Sequence, residues 1–331
     1  MTQRLASVAV LLQAPHLAQQ SMIDPAGPKA QHVYDFWRFL ISVSVAVFAV
    51  VLIALIVALF RRHRTVEPES PRVDRDITRW VVTAVGITFV IILVFLVVDF
   101  RLGRANATPD GAKSLTIEVI GHQWWWEIQY PDSADVSNWI VTANEIHVPV
   151  GRPVILRMSS RDVIHSFWVP NLSGKKDLVP GKTTETWIRA DSAGIYRGQC
   201  AEFCGLQHAK MTLEVVAQSP ADFARWESQM RAPARAPADS LQEAGRLVFV
   251  AGSCSNCHAI GGTPAAGHVG PDLTHLSSRR TIAAASLPNT RGNLAGWILD
   301  PQRIKPGSAM PANSLDPDQL QSLLAYLEGL K

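Results

Sequence analysis

Cysteine is scarce in this chain, with four in 331 residues, so at most two disulfides could form and any pair drawn to other chemistry stands out. Net charge is also low, at +3, and no basic patch is interleaved with aromatic residues, which argues against nucleic acid as a partner. Charge is missing altogether from two long blocks, FLISVSVAVFAVVLIALIVALF (39–60) and WVVTAVGITFVIILVFLVV (80–98). A bilayer core takes about 20 consecutive apolar residues in a helix, and soluble core helices seldom run that far without a polar face. The blocks predict membrane helices at about 37–60 and 80–100, a hairpin within residues 21–104.

Between the blocks lies RRHRTVEPESPRVDRDITR, with Arg61, Arg62, Arg64, Arg72, Arg75 and Arg79. Short arginine-rich loops stay in the cytoplasm, so both chain ends and everything downstream are expected on the outer side. Arg101 and Arg104 on the far flank soften that asymmetry without reversing it. Residues 1–20 have Arg4 followed by a short apolar run from Leu5 to Leu12, the shape of a secretory signal; cleavage and a retained, exported N-terminus both fit. In an exported compartment the cysteines could simply be disulfides.

After the spacer RLGRANATPDGAK the period changes. LTIEVIG (115–121), EIHV (145–148), PVILRM (153–158), TETWIRA (184–190), GIYRGQ (194–199) and MTLEVV (211–216) are short runs rich in β-branched and aromatic residues, separated by Pro, Gly, Asn and Asp. They predict a β-sandwich or barrel over 114–218. SPADFARWESQM reads as a short helix capped by Ser219, and with the linker around Pro233 and Pro237 it fills 219–239. Residues 240–331 read as a small α domain, with SLQEAGRLVF helical and a stripe of Leu320, Leu323, Leu324 and Leu327 near the end. A core this small usually needs a cofactor or cross-link.

Cys254, Cys257 and His258 form CSNCH, the attachment pattern of a c-type haem. One backbone turn presents two thiols to the two vinyl groups of a porphyrin, and the adjacent histidine reaches the iron. A methionine as the second axial ligand would raise the potential. Met310, in the loop PGSAMPAN, is the one methionine of the domain; His268 and His275 are competing candidates, each read as a solvated loop histidine. The segment resembles the class I cytochromes c. GPDL (270–273) matches the loop after the haem motif, which implies that Pro271 supports the proximal histidine, that the helix around Gly245 and Phe249 crosses the one around Tyr326, and that Trp297 sits near the haem carboxylates or fills the core.

Residues 198–211, GQCAEFCGLQHAKM, hold the other two cysteines. A Cys200–Cys204 disulfide would explain none of their neighbours. Soft thiolates with imidazole (His208) and thioether (Met211) suit copper, and two bridging thiolates could hold two ions. A second histidine is needed; His165, expected in a turn between strands, is the stronger choice and His147, in a strand, the weaker.

HSFWVP, GQCAEFCGLQHAKM and GHQWWWEIQY (121–130) closely resemble subunit II of the haem-copper cytochrome c oxidases, of the caa type with a fused cytochrome c. That resemblance implies a multi-domain membrane protein: a two-helix transmembrane hairpin, a cupredoxin-like β-sandwich and a C-terminal all-α class I cytochrome c domain. It implies a dinuclear copper centre, CuA, held by Cys200, Cys204, His165, His208, Met211 and the Glu202 carbonyl. Magnesium at the Glu202 carboxylate, shared with subunit I, is implied too. So are electron acceptance at Trp124, with Trp125 and Trp126 as packing, and dioxygen reduction and proton translocation in the complex with subunit I. The expected partners are subunit I, further oxidase subunits and a soluble cytochrome c or other exported donor, at a bacterial inner membrane with the large domains on the periplasmic side. One departure is the stretch RVDRDITRW, where relatives carry a proton-path glutamate; Asp74 or Asp76 is left to replace it. Two other readings use the same residues: a CuA-bearing nitric oxide reductase, and a membrane-anchored copper chaperone, which would need a thioredoxin-like α/β pattern.

Overall fold

The computed structural model describes residues 20–61, 71–109, 114–131 and 138–331. The signal-like stretch up to residue 19 and loop residues 62–70 lie outside them. Helices α1 (Pro28–Phe60) and α2 (Pro71–Ala105) span 33 and 35 residues, on the order of 50 Å each at about 1.5 Å per residue. Both outrun the expected 37–60 and 80–100, because the polar flanks are compatible with helix and nothing breaks them before a proline at the first helical position, where its missing N–H costs nothing. Their apolar side chains stay uncovered, Phe48 and Phe89 at 67% and 68% exposure, as a lipid-facing surface requires. The unit Gln31–Thr108 is tied internally by an edge-on Phe39–Phe95 contact and a His32–Asn106 hydrogen bond of 2.8 Å. At the start of α2, Asp76 pairs with Arg79 on the surface, and the Asp74 carbonyl accepts from Thr78.

The residues beyond Pro109 belong to a second unit. Its first part is a sandwich with ten strands among the described residues: β1 (Leu115–His122), β2 (Trp125–Tyr130), β3 (Ile140–Ala143), β4 (Glu145–Pro149), β5 (Val154–Ser160), β6 (His165–Trp168), β7 (Lys176–Leu178), β8 (Thr184–Ile188), β9 (Gly194–Cys200) and β10 (Thr212–Gln218). One sheet has the order β3-β2-β1-β5-β8, the other β4-β10-β9-β6-β7. The β1–β5 and β4–β10 pairs are parallel and the rest antiparallel. Strand β2 shows the period that builds the core: Trp126, Ile128 and Tyr130 are buried while Trp125, Glu127 and Gln129 face outward.

All six predicted runs are strands. β2, β3, β6 and β7 were not among them, since the last three run three or four residues and owe their conformation to pairing with a neighbour. His165, expected in a turn, is the first residue of β6, because that segment pairs with β7 and β9. Helix α3 (Pro220–Met230) starts as expected at Ser219, whose hydroxyl accepts from the Asp222 amide, and drops Phe223 into the sandwich core.

The last part holds α4 (Ser240–Ala251), α5 (Arg291–Leu299), α6 (Pro301–Ile304), α7 (Pro317–Gly329) and a small hairpin, β11 (Thr281–Ile282) with β12 (Leu287–Pro288). Helix α7 opens with a capping box, Asp316 with Gln319. It crosses α4 at Gly245, where a Cβ would lie 1.9 Å from the Ser322 carbonyl oxygen and 2.8 Å from the Tyr326 Cβ. The crossing foreseen for Gly245, Phe249 and Tyr326 is therefore present, and only glycine permits it.

Candidate metal and haem sites

Strands β9 and β10 are antiparallel neighbours, so the loop 201–211 returns on itself, and the Cys200 amide donates to the Met211 carbonyl at 2.9 Å. β6 pairs with the end of β9, Phe167 opposite Cys200, which brings His165 to the same place. The sulfurs of Cys200 and Cys204 are 3.7 Å apart, far from the roughly 2.05 Å of a disulfide, and both thiols are free. Around them stand His165 Nδ1, 3.9 Å from Cys200 Sγ; His208 Nδ1, 3.6 Å from Cys204 Sγ; Met211 Sδ, 3.8 Å from Cys204 Sγ; and the Glu202 carbonyl, 3.2 Å from Cys200 Sγ. With metal–thiolate bonds of about 2.3 Å, an ion on either side of the sulfur pair reaches both sulfurs. All six residues named from the sequence converge here, and two thiolates, two imidazoles, a thioether and a carbonyl suit copper.

A hydrogen bond from Cys204 holds Cys200 well below the usual thiol range, and that same neighbour, with burial, pushes Cys204 up. Asp162, which the sequence reading passed over, fixes the His165 ring: its Oδ1 lies 2.8 Å from Nε2, leaving Nδ1 toward the thiols, an outer carboxylate of the kind that orients metal-bound histidines. Burial opposes charge on both partners, but the hydrogen bonds prevail, so His165 is raised and Asp162 lowered. An Asp three residues before the histidine was the available signal. Gly121 leaves the space, since a Cβ there would lie 2.7 Å from the ring.

His147 belongs elsewhere: it stacks on Trp226 at 4.3 Å and meets Gln218 at 3.1 Å. The Glu202 carboxylate is 3.2 Å from the Lys175 ammonium, so it is paired with a cation instead of standing free for one.

The second site is a cavity of about 320 Å³ lined by Phe249, Cys254, Cys257, His258, Leu294, Met310 and Trp297. Both thiols are free. His258 Nδ1 donates to the Pro271 carbonyl at 2.7 Å, which leaves Nε2 unprotonated for a metal, and burial lowers the ring below the usual histidine range. Gly270 packs on that ring so closely that a Cβ would lie 2.5 Å from Cε1. His268 is exposed. His275, expected in solvent, is instead buried at 3% exposure and donates Nε2–H to the Ala232 carbonyl at 3.0 Å, because the linker folds back over it. Arg279, also unforeseen, lines the cavity with its Nε buried and unpartnered, a donor suited to a haem carboxylate. Thiol pair, imidazole, thioether, apolar wall and cation together fit a haem.

The sandwich forms part of the same cavity wall through Trp124 and Trp125. Trp125, expected as packing, is therefore a cavity residue that also stacks on His122 at 4.3 Å; Trp126 is packing, fully buried. Trp124 is only 8% exposed, and its indole Nε1 donates to the Cys204 carbonyl at 2.9 Å.

Residues 137–218 match the family described as cytochrome c oxidase subunit II, periplasmic domain, and residues 242–331 match the cytochrome c family. Cytochrome c oxidase subunit 2 of Alkalihalophilus pseudofirmus is 38% identical over 93% of this chain and 90% of its own length. This chain belongs to the cytochrome c oxidase subunit II family. The Bacillus subtilis subunit 2 is 31% identical over 99% of this chain and 96% of its own. A crystal structure of the periplasmic domain of subunit II from Bradyrhizobium japonicum is 31% identical, covering 38% of this chain and 97% of that one with a TM-score of 0.35.

As a subunit II with a fused cytochrome c domain, the chain is a membrane-anchored component of respiratory electron transport, through which electrons enter a terminal oxidase, and its partner is subunit I. The subunit II domain implies CuA and the cytochrome c domain a haem. Two five-stranded sheets replace the α/β pattern that a thioredoxin-like chaperone would need.

Proposed function

We propose that this chain relays electrons from an exported donor, a soluble cytochrome c or its equivalent, through the cavity of the C-terminal domain to the thiolate pair of the sandwich and on to subunit I, where dioxygen is reduced to water with proton translocation. Bound at the two sites, a haem and a pair of copper ions would supply one-electron carriers. Cys254 and Cys257 would bond the haem covalently, His258 and Met310 would ligate its iron, and Arg279 would neutralise its carboxylates. His165, Cys200, Cys204, His208, Met211 and the Glu202 carbonyl would hold the copper pair. Both sites lie on the outer, periplasmic side of the membrane.

The observation that carries this reading is Trp124, which lines the haem cavity and donates from its indole to the backbone of Cys204. One aromatic side chain thus reaches from the first site to a residue of the second, and burial beneath the chain's own C-terminal domain keeps an external donor away from it. The donor's surface is then the haem side. A magnesium ion shared with subunit I would take the half-exposed Glu202 carboxylate, which pairs with Lys175 in this chain.

The test is an optical and EPR spectrum of the full chain loaded with copper and haem, beside Cys200→Ser. Near-infrared absorption and hyperfine structure from one electron shared over two copper nuclei are expected, both lost in the variant while the reduced haem α-band remains. A haem spectrum with no dinuclear copper signal in the unmutated chain would refute the relay.

A further inference from the structure

Lys305 follows α6, five residues before Met310. Its side chain turns inward to 3% exposure, and Nζ donates to the Trp124 carbonyl at 2.7 Å and to the Ala283 carbonyl at 3.4 Å. Lysine is almost never fully buried unless paired with an anion, yet among the described residues no carboxylate is paired with this one. Burial, reinforced by Lys210 and opposed by Cys204, brings it down to about 7. A residue that is energetically unfavourable where it stands calls for a reason other than stability.

Its surroundings supply one. The backbone on either side of Lys305 is gripped by the loop that carries Cys204 and His208: Gln207 donates to the Pro306 carbonyl at 2.8 Å, and Lys210 to the Ile304 carbonyl. Ala283, its second acceptor, is the first of three consecutive alanines with φ of 55°, 58° and 53°, left-handed conformations that a residue with a Cβ seldom adopts. The next two point their carbonyls at the sandwich, Ala284 to Thr212 at 2.5 Å and Ala285 to Arg197 at 3.1 Å. Three segments thus meet at one ammonium: the Trp124 turn, the β11–β12 hairpin and the approach to Met310.

We infer that Lys305 is a positioning residue for electron passage: it holds Trp124 by the main chain while the Cys204 carbonyl holds the indole, so that the ring stays in one place between the two sites. This rests on the relay proposed above. The charged and titratable groups around Lys305 are Lys210 from the copper loop, Cys204 beneath it, and Arg279 and His258 from the cavity wall. None of these side chains is a carboxylate, and Arg279 would neutralise those of a haem in the cavity, so the charge on Lys305 is present at pH 6 and lost as pH rises through about 7, and with it the stronger, charge-assisted hold on Trp124.

The experiment uses the full, haem- and copper-loaded chain in detergent. Haem-to-copper electron transfer after photoreduction is followed from pH 6 to 8.5 in the unmutated protein, Lys305→Met and Lys305→Gln. Amide hydrogen exchange is followed at residues 123–125 and 281–288. Unmutated protein should slow as pH rises through 7. Lys305→Met should be about tenfold slower at pH 6, the scale expected when a positioning contact is lost, with no pH step and with faster exchange at both segments. Lys305→Gln keeps a donor without the charge, so it should lack the pH step and fall between the two in rate. A flat profile in the unmutated protein, or Lys305→Met with unmutated rate and exchange, would overturn the assignment. If the unmutated chain passes no electron from haem to copper at any pH, the relay itself fails, and the exchange data still report whether Lys305 holds the turn.

Discussion

Gly245→Ala separates two effects of opposite sign. On an exposed helix the change would stabilise by about 1 kcal/mol, because alanine is the better helix former. At the α4–α7 crossing, however, the new Cβ falls 1.9 Å from the Ser322 carbonyl oxygen, 2.5 Å from its carbon and 2.8 Å from the Tyr326 Cβ. Two of these atoms are helix backbone and cannot rotate away, so the helices must separate by more than an ångström, loosening Phe249, Leu323, Leu324 and Leu327 in the core. Overpacking of this kind costs about 3 kcal/mol at the upper end of its usual range. The net loss is about 2 kcal/mol, which for a domain of this size lowers the melting temperature by roughly 10 °C. Thermal loss of the haem spectrum in the solubilised chain reads it directly. A variant as stable as the unmutated chain, or more so, would mean that helix propensity outweighs the contact and that the crossing is not set by Gly245.

Gly270→Ala should push the His258 ring off its Pro271 hydrogen bond while both thioethers survive; the check is carbon monoxide binding to the reduced haem, expected in the variant and absent from the unmutated chain. Lys305→Met should raise stability near pH 7 even though it slows electron passage. From 10.5 to about 7 is a shift of about 3.5 pH units, an upper bound of about 5 kcal/mol at about 1.4 kcal/mol per unit. The unfolded chain binds the extra proton between pH 7 and 10.5, so unmutated stability should climb across that window and the variant's should not, as parallel denaturation curves would reveal. Asp162→Asn should remove part of the acid sensitivity of the copper-free chain. The lowered Asp162 carboxyl contributes stability that is present above the ordinary carboxylate value and lost as pH falls through its folded one, so equal acid unfolding of the two forms would contradict the His165–Asp162 contact.

Local patterns were the legible part. Charge-free blocks announce membrane helices because lipid tolerates nothing else, and CSNCH and CAEFCGLQHAKM announce their chemistry because each packs most of its ligands within one short segment. Six of the strands, the Ser219 cap and the glycine at the helix crossing could be read for the same reason: each rests on periodicity or a stereochemical requirement within a few residues. Where the reading fell short, the cause lay in distant pairing. His165 becomes a strand residue because β7 pairs with it, His275 is buried because the linker covers it, and Trp125 faces a cavity that another domain completes.

By itself, then, the sequence determined the donor atoms: which thiols, imidazoles and thioethers exist and which metals they suit. Tertiary structure alone decided their relation. Docking of the C-terminal domain places Trp124 between the two sites, covers it from solvent and buries Lys305 against its carbonyl. The Lys305 contact joins residues 181 positions apart, and no local periodicity encodes it, because it follows from the complementarity of two finished surfaces.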